Sequence, residues 1–425
     1  MTTGGIWTAA PAFSHTGSIV GRGRMTPPGG DLGRRDAAIG LATALALGPK
    51  RLFAQDVSPI RVGGTLSLTG PLAASATAHR LGGEIFLSGM NGQGGFLGRP
   101  VEWVLLDDQS KPEIARALYE RLVSSDKVDL LIGPYATSAI LSAMTVAARY
   151  GKVLVHDSLG TPALATYERQ FPAYALGQHP EATGPTALLD TLAATGAAPR
   201  SVTVLSSKFP SALFIAQGMQ AVAAARGVSV PLALNYEAGT RDFGSIAARV
   251  RAADADLLWV GALGNDGALL LESLARIEAK PRSHFYLYPS IGSLQGAPGS
   301  NGAIVPTLFE DLPPLNLAPG AAAFAAEYRQ KAKAAGLAYV EPDGQAGEAF
   351  AAWQVLTSGV AATGSLDDAQ IAAWLRANSV NTIIGRLSFA GTGNYGPDLQ
   401  RLKQLQNGSW RIIWPDNQST PTAVR

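Results

Sequence analysis

The chain of 425 residues contains no cysteine. Disulfides, thiolate nucleophiles and thiolate-ligated zinc are therefore excluded, and no lipoprotein anchor on a cysteine is expected. Histidine is scarce: five residues without metal-ligand spacing argue against a metal site. No stretch reaches the ~18 uninterrupted apolar residues that a membrane helix needs. A sustained excess of one charge is also missing. The formal net charge is +2, but residues 1–54 hold Arg22, Arg24, Arg34, Arg35, Lys50 and Arg51 against Asp31 and Asp36. The remainder has 28 basic and 30 acidic residues, so the basic balance belongs to the N-terminus and the body has no electrostatic footprint for nucleic acid. Several catalytic signatures are absent as well. Gly151-Lys152 is followed by Val153 rather than a hydroxyl residue, so there is no phosphate loop. Neither a G-x-S-x-G elbow nor an H-E-x-x-H helix occurs.

What is present describes a globular body behind a leader. Hydrophobic residues make up 47% and charged residues 16%, enough apolar content to bury a core. Arg34-Arg35 precede an apolar run from Ala37 to Gly48, which has the length of a signal-peptide core, and Ala54 offers a small residue for cleavage before Gln55. The paired arginines point to the twin-arginine export route, with Met25 as an alternative start. The competing reading is a buried N-terminal helix.

From Ile60 onward, β-prone and helical stretches alternate. Strands are expected at Arg61–Leu68, Val101–Leu106, Val128–Ile132, Val153–Val155, Val202–Leu205, Leu257–Val260 and Phe285–Leu287. Helices are expected at Leu81–Asn91, from a capping box Ser110-Lys111-Pro112-Glu113, at Ala139–Tyr150, at Ala212–Arg226 and at Ala268–Ile277. Alternation with strands that are apolar throughout predicts parallel sheets buried on both faces. The pattern breaks at Phe171–Pro180 and Gly302–Pro319, which read as crossings between lobes. The stretch Leu387–Pro415 reads as hairpins, with Trp410 and Trp414 on one face by period two.

Four clusters invite chemistry and admit plainer readings. Gly92–Gly98 is glycine-rich but follows a helix and precedes a strand, the reverse of a dinucleotide site. His156-Asp157-Ser158 suggests a triad, yet neighbours on an extended chain point to alternate faces, so His156 reads as a strand-end residue satisfied by a neighbour. Asp107-Asp108 at a strand end fits a turn or cap better than a catalytic pair. Ser75, Thr137 and Ser138 fit either turn and cap roles or ligand contact.

An ordered set of segments is more specific. Asn91-Gly92-Gln93-Gly94-Gly95-Phe96-Leu97-Gly98-Arg99-Pro100 leads into Val101–Leu106, Asp107-Asp108 and Pro112. Asp126-Lys127-Val128-Asp129 then leads to Ile132-Gly133-Pro134. Asp242-Phe243, Ala255-Asp256-Leu257, Gly385 to Phe389 and Asn407-Gly408 follow in order. Over roughly residues 60–415 the chain resembles the type I periplasmic binding proteins of the leucine/isoleucine/valine-binding family. The resemblance implies an α/β fold of two Rossmann-like lobes, a Venus-flytrap, joined by three crossover strands. The first lobe would comprise 57–176 plus 308–386, the second 177–307 plus 387–417, with a tail at 418–425. It implies a small-molecule ligand, an amino acid or related carboxylate, delivered to the permease of an ATP-driven (ABC) importer. It also implies a monomer with no cofactor and no catalytic activity.

Carried over by position, the ligand-contacting loops fall on Ser75, on Tyr135, Ala136, Thr137 and Ser138, and on Ser158, Leu159 and Gly160. In the second lobe they fall on Phe209, Ala262, Asn265, Tyr288 and Ser290. The chain departs from the pattern where amino-acid binders commonly hold the ammonium group: Tyr288-Pro289-Ser290-Ile291 contains no acid. A carboxylate without an ammonium, an aromatic one included, therefore fits at least as well, unless Asp157 or Asp266 supplies the charge. The missing lipoprotein cysteine implies a protein free in a periplasm. A sensor or regulator of the same fold is the alternative function; an α/β enzyme would need a nucleophile–base pair that the sequence does not offer.

Overall fold

The structure, a computed structural model, describes residues 58–415. The export features at Arg34-Arg35, Ala37–Gly48, Ala54 and Gln55, and the tail at 418–425, lie outside the described residues. Strands β1 (Ile60–Leu66), β2 (Val101–Asp107), β3 (Leu130–Ile132), β4 (Leu154–His156) and β5 (Gln170–Pro172) form a sheet in the order β2-β1-β3-β4-β5. Every pairing in it is parallel. Parallel neighbours need crossovers, and α1 (Ala73–Gly92), α2 (Pro112–Ser124) and α3 (Thr137–Tyr150) supply them. Side chains alternate between two cores. Leu130, Ile132, Val153 and Val155 join one apolar cluster, whereas Leu131 and Leu154 join another beneath α2 and α3.

The next stretch builds a second sheet. After α4 (Pro180–Ala194) come β6 (Ser201–Ser207), α5 (Pro210–Ala225), β7 (Ser229–Tyr236), α6 (Gly244–Ala253), β8 (Leu257–Gly264), α7 (Asp266–Arg276), β9 (Ser283–Pro289), α8 (Ile291–Gly296) and β10 (Ala303–Thr307). The chain then returns through α9 (Ala321–Ala334), α10 (Gly344–Thr363), α11 (Asp368–Ala377) and a hairpin of β11 (Ser379–Thr382) and β12 (Gly385–Ser388). A final hairpin, β13 (Arg401–Gln406) and β14 (Ser409–Trp414), completes the second sheet, ordered β14-β13-β10-β9-β8-β6-β7. Burying one Leu, Ile or Phe contributes about 1.5–3 kcal/mol. The strongest layering therefore lies where both sheet faces are covered, as at Leu258 and Val260 on one side and Leu257 and Trp259 on the other.

Three segments cross between the sheets. Residues 173–179 leave β5, the chain after β10 returns, and residues 396–400 lead into β13. The first and third lie side by side: Leu176 bridges Asp398, and the Leu399 amide donates to the Ala175 carbonyl at 2.9 Å.

Four expectations change. The segment Ser110–Glu113 is not a capping box: Lys111 is the cap residue without a side-chain bond, and Pro112 opens α2. Ser110 has a left-handed backbone (φ 60°), and its hydroxyl donates to the Thr69 carbonyl instead. Strand β7 was not anticipated; it lies at the sheet edge with one face exposed, where Pro231 costs no ladder bond. Trp410 and Trp414 do not share a face. A register shift in the β13–β14 pairing sends Trp410 into one core and Trp414 towards the other. The boundary expected at 386/387 falls inside a hairpin. Val380, Leu387 and Phe389 all belong to the core cluster of the first sheet, and the Tyr395 hydroxyl donates to the Leu159 carbonyl.

Candidate functional site

The carboxyl ends of both sheets open onto one cavity of about 620 Å³, part of it continuous with solvent. Tyr135, Ala136 and Ser158 enter from the loops after β3 and β4. Ser211, Leu263, Tyr288, Pro289 and Ile291 enter from the other sheet. Tyr174 and Leu176 come from the first crossing, Thr307 and Leu308 from the second, and Gln400 and Lys403 from the third and its strand. The first turn of α10 adds Asp343, Gly344, Gln345 and Glu348. The two sides touch. Leu66, Leu72, Ala76, Tyr135 and Ala136 share an apolar cluster with Ala212 and Leu263. A Cβ placed on Gly160 would stand 3.1 Å from Ser211 Cβ and 3.5 Å from the Tyr288 hydroxyl.

At the cavity's edge, α3 begins without a side-chain cap. Its first N–H groups lack intrahelical partners and carry the positive end of the helix dipole. The loop is held open for this. Ala136 adopts a left-handed φ of 73°, and its amide donates to Ser158 Oγ at 3.0 Å. The Gly160 amide donates to Thr137 Oγ1 at 3.2 Å. Both hydroxyls therefore accept from the protein and keep a proton to donate. The Tyr135 hydroxyl and Ser75 Oγ are buried without a partner among the described residues. Burial pushes the Tyr135 phenol well above its ordinary range. Such orphaned groups cost about 1–3 kcal/mol each unless something completes them.

Of the residues singled out in the sequence, Tyr135, Ala136, Ser158 and Tyr288 line the cavity. Thr137 and Ser138 form the first turn of α3, and Gly160 faces Ser211 and Tyr288. Leu159 does not face the cavity; it is fully buried in the core beneath α3. Phe209, the residue before α5, packs against the apolar cluster between the sheets. Ala262 lies within β8, and Asn265 precedes α7 with its side chain outside the cavity lining. Ser290 starts α8, and its hydroxyl lies 3.4 Å from Ser293 Oγ. Apart from Tyr288, the lining on the second sheet thus falls one or two residues away, on Ser211, Leu263, Pro289 and Ile291.

Neither acid considered as a charge source lines the cavity. Asp157 stands 3.1 Å from His79 Nδ1, and Asp266 accepts from the Tyr236 hydroxyl at 3.0 Å. Burial raises Asp266 to about 6. The acids that do line it, Asp343 and Glu348, were missed, as was Lys403. A signal existed for one of them: Glu348 is the only charged residue in Gly344–Thr363. Lys403 is 1% exposed, donates to Glu310 and sits 4.7 Å above the Trp410 ring.

The other clusters hold structure. His156 Nε2 meets Gln170 Oε1 at 2.6 Å, and burial lowers its pKa to about 4, so the imidazole is neutral. No relay joins it to Asp157, which pairs with His79, or to Ser158, which serves Ala136. Asp108 accepts from the Thr65 and Ser67 hydroxyls at 2.8 and 2.7 Å. Asp107 accepts from the Thr69 hydroxyl at 2.7 Å, so the pair braces the turn after β1. Among the described residues no helix is long and apolar enough to cross a membrane, and no group of metal-ligating side chains gathers.

Residues 59–400 match the periplasmic binding protein family. A leucine-, isoleucine-, valine-, threonine- and alanine-binding protein of Pseudomonas aeruginosa is 23% identical over 362 residues, 83% of this chain and 92% of the relative. A solute-binding protein of an R. palustris ABC transporter, solved with benzoate, superposes with a TM-score of 0.71 at 20% identity, covering 84% of this chain and 96% of that one. A branched-chain amino acid transporter substrate-binding protein of Streptococcus pneumoniae, solved with isoleucine, gives 0.70 at 17% identity, covering 84% and 99%. With the family matched over most of its length and the two-sheet architecture shared, the chain belongs to the periplasmic binding protein family and has its type I fold.

Proposed function

We propose that the protein captures a small carboxylate-bearing ligand between its two lobes and delivers it to the permease of an ABC importer. The observation that carries this reading is the uncapped N-terminus of α3 opening onto the cavity between the sheets, beside the hydroxyls of Ser158 and Thr137. A helix start with free N–H groups binds an anion without help from a cationic side chain. The named ligands of the relatives, amino acids and benzoate, share a carboxylate. Closure of two lobes excludes water and strengthens these hydrogen bonds, and the ligand favours closure through its greater affinity for the closed state. The leader around Arg34-Arg35 would export the chain to the periplasm, where it would act as a monomer without chemical turnover. The lobes would be divided as expected, with residues 387–395 kept on the first.

A thermal-shift screen with amino acids and with aliphatic and aromatic carboxylates tests this. A ligand at a hundred times its Kd adds about 2.7 kcal/mol of stability. The expected result is a clear melting shift with at least one acid, which is recovered unchanged. No shift with any acid at millimolar concentration would overturn the reading.

A further inference from the structure

The cavity has a second pole, opposite in sign to the start of α3. Glu348 lies on the first turns of α10, is 7% exposed, and lines the cavity. No hydrogen bond or ion pair to it is found among the described residues. Its neighbours offer no cation to spare. Lys403, the basic residue in the cavity lining, is committed to Glu310, whose carboxylate also accepts from Thr307. Asp343, the other acid in the lining, accepts from the Ala346 amide as the cap of α10. The phenols of Tyr135, Tyr174 and Tyr288 surround the same space, and the charge of Glu348 acts on all three. Burial, with Asp157 and Asp343 adding repulsion, holds the Glu348 carboxyl well above the usual range. A buried carboxyl without a partner, flanked by a second acid and by aromatic faces, is completed by a cation.

We propose that Glu348 receives a cationic nitrogen of the ligand. The cleft then takes a small acid that also carries an amine, its carboxylate at the start of α3 and its nitrogen towards α10. This rests on the carboxylate-binding reading and specifies the ligand class. It also explains why the loop Tyr288–Ile291 needs no acid: the counter-charge is supplied by a helix on the other side of the cleft.

Matched pairs test it by calorimetry on the purified protein: leucine against 4-methylpentanoate, phenylalanine against 3-phenylpropanoate, and 4-(aminomethyl)benzoate against 4-methylbenzoate. In any pair that binds, the amine-bearing member is expected to bind at least tenfold tighter. Glu348→Gln should abolish that preference. Equal or tighter binding of the amine-free members by the wild type overturns the proposal and leaves the carboxylate reading standing. A preference that survives in Glu348→Gln does the same. If neither member of any pair binds, both fail. If Glu348→Gln does not fold, the same comparison is made with Glu348→Ala, and a preference that survives there overturns the proposal.

Discussion

At the residue scale, the cavity and its surroundings show how burial reassigns familiar side chains. His156 sits at a strand end beside Asp157 and Ser158, yet each of the three has a separate partner. Its imidazole titrates near 4 in the fold against 6.5 in the unfolded chain. The unfolded state therefore binds more protons between those values, so this residue's stabilising contribution is present above pH 6.5 and is lost as pH falls towards 4. Two and a half pKa units correspond to about 3 kcal/mol. In urea melts, the stability difference between wild type and His156→Asn should shrink by about that amount between pH 7 and pH 4. A difference independent of pH would mean that the imidazole is not held neutral. The plain reading of His156 was legible in the sequence because strand alternation alone forbids the relay. Its partner Gln170 was not, since that contact depends on β4 pairing with β5.

At the element scale, helix contacts turn on glycine. A Cβ on Gly218 of α5 would press into the backbone carbonyl of Glu181 on α4, whereas Gly184 in α4 has nothing within 4 Å. Opposite outcomes are expected from the same substitution. Gly218→Ala should lower stability by about 1–3 kcal/mol, because a backbone neighbour cannot rotate away. Gly184→Ala should raise it by up to about 1 kcal/mol through helix propensity. Denaturant midpoints decide, and matching signs would overturn the packing argument. The elements themselves were largely readable from periodicity. Misreadings fell where a local rule met a tertiary one. Ser110 is drawn from capping by a carbonyl 41 positions away, and Trp414 is turned by a bulge in the final hairpin.

At the scale of the whole molecule, the two sheets meet across the cavity at few points, and Gly160 is one of them. Its missing side chain is the space that Ser211 and Tyr288 occupy from the opposite side. Gly160→Leu should prop the lobes apart without disturbing either core. The expected signature is a ligand affinity reduced at least tenfold, with a melting temperature lowered only by the loss of the apolar contact of Tyr135 and Ala136 with Ala212 and Leu263. Small-angle scattering should show wild type contracting on ligand addition and the variant failing to do so. An unchanged affinity would mean that this contact does not limit closure.

The sequence by itself determined the alternation of strands and helices, the burial of both sheets and the position of the loops after β3 and β4. These follow from periodicity and from glycine, and both are local properties of the chain. Only the tertiary structure decided which charges line the cavity. Asp343 and Glu348 share the start of α10, whereas Lys403 comes from β13, and the loops after β3 and β4 come from far earlier in the chain, so only the crossings between the sheets bring them to one cavity. Their meeting is a consequence of topology, which no local pattern encodes. What the sequence did carry was the anomaly of one acid in an apolar helix, whereas Lys403 sits in a largely polar strand beside Arg401, Gln404 and Gln406 and gave no such signal. The fold sets that irregularity beside Lys403 in the lining of the cavity.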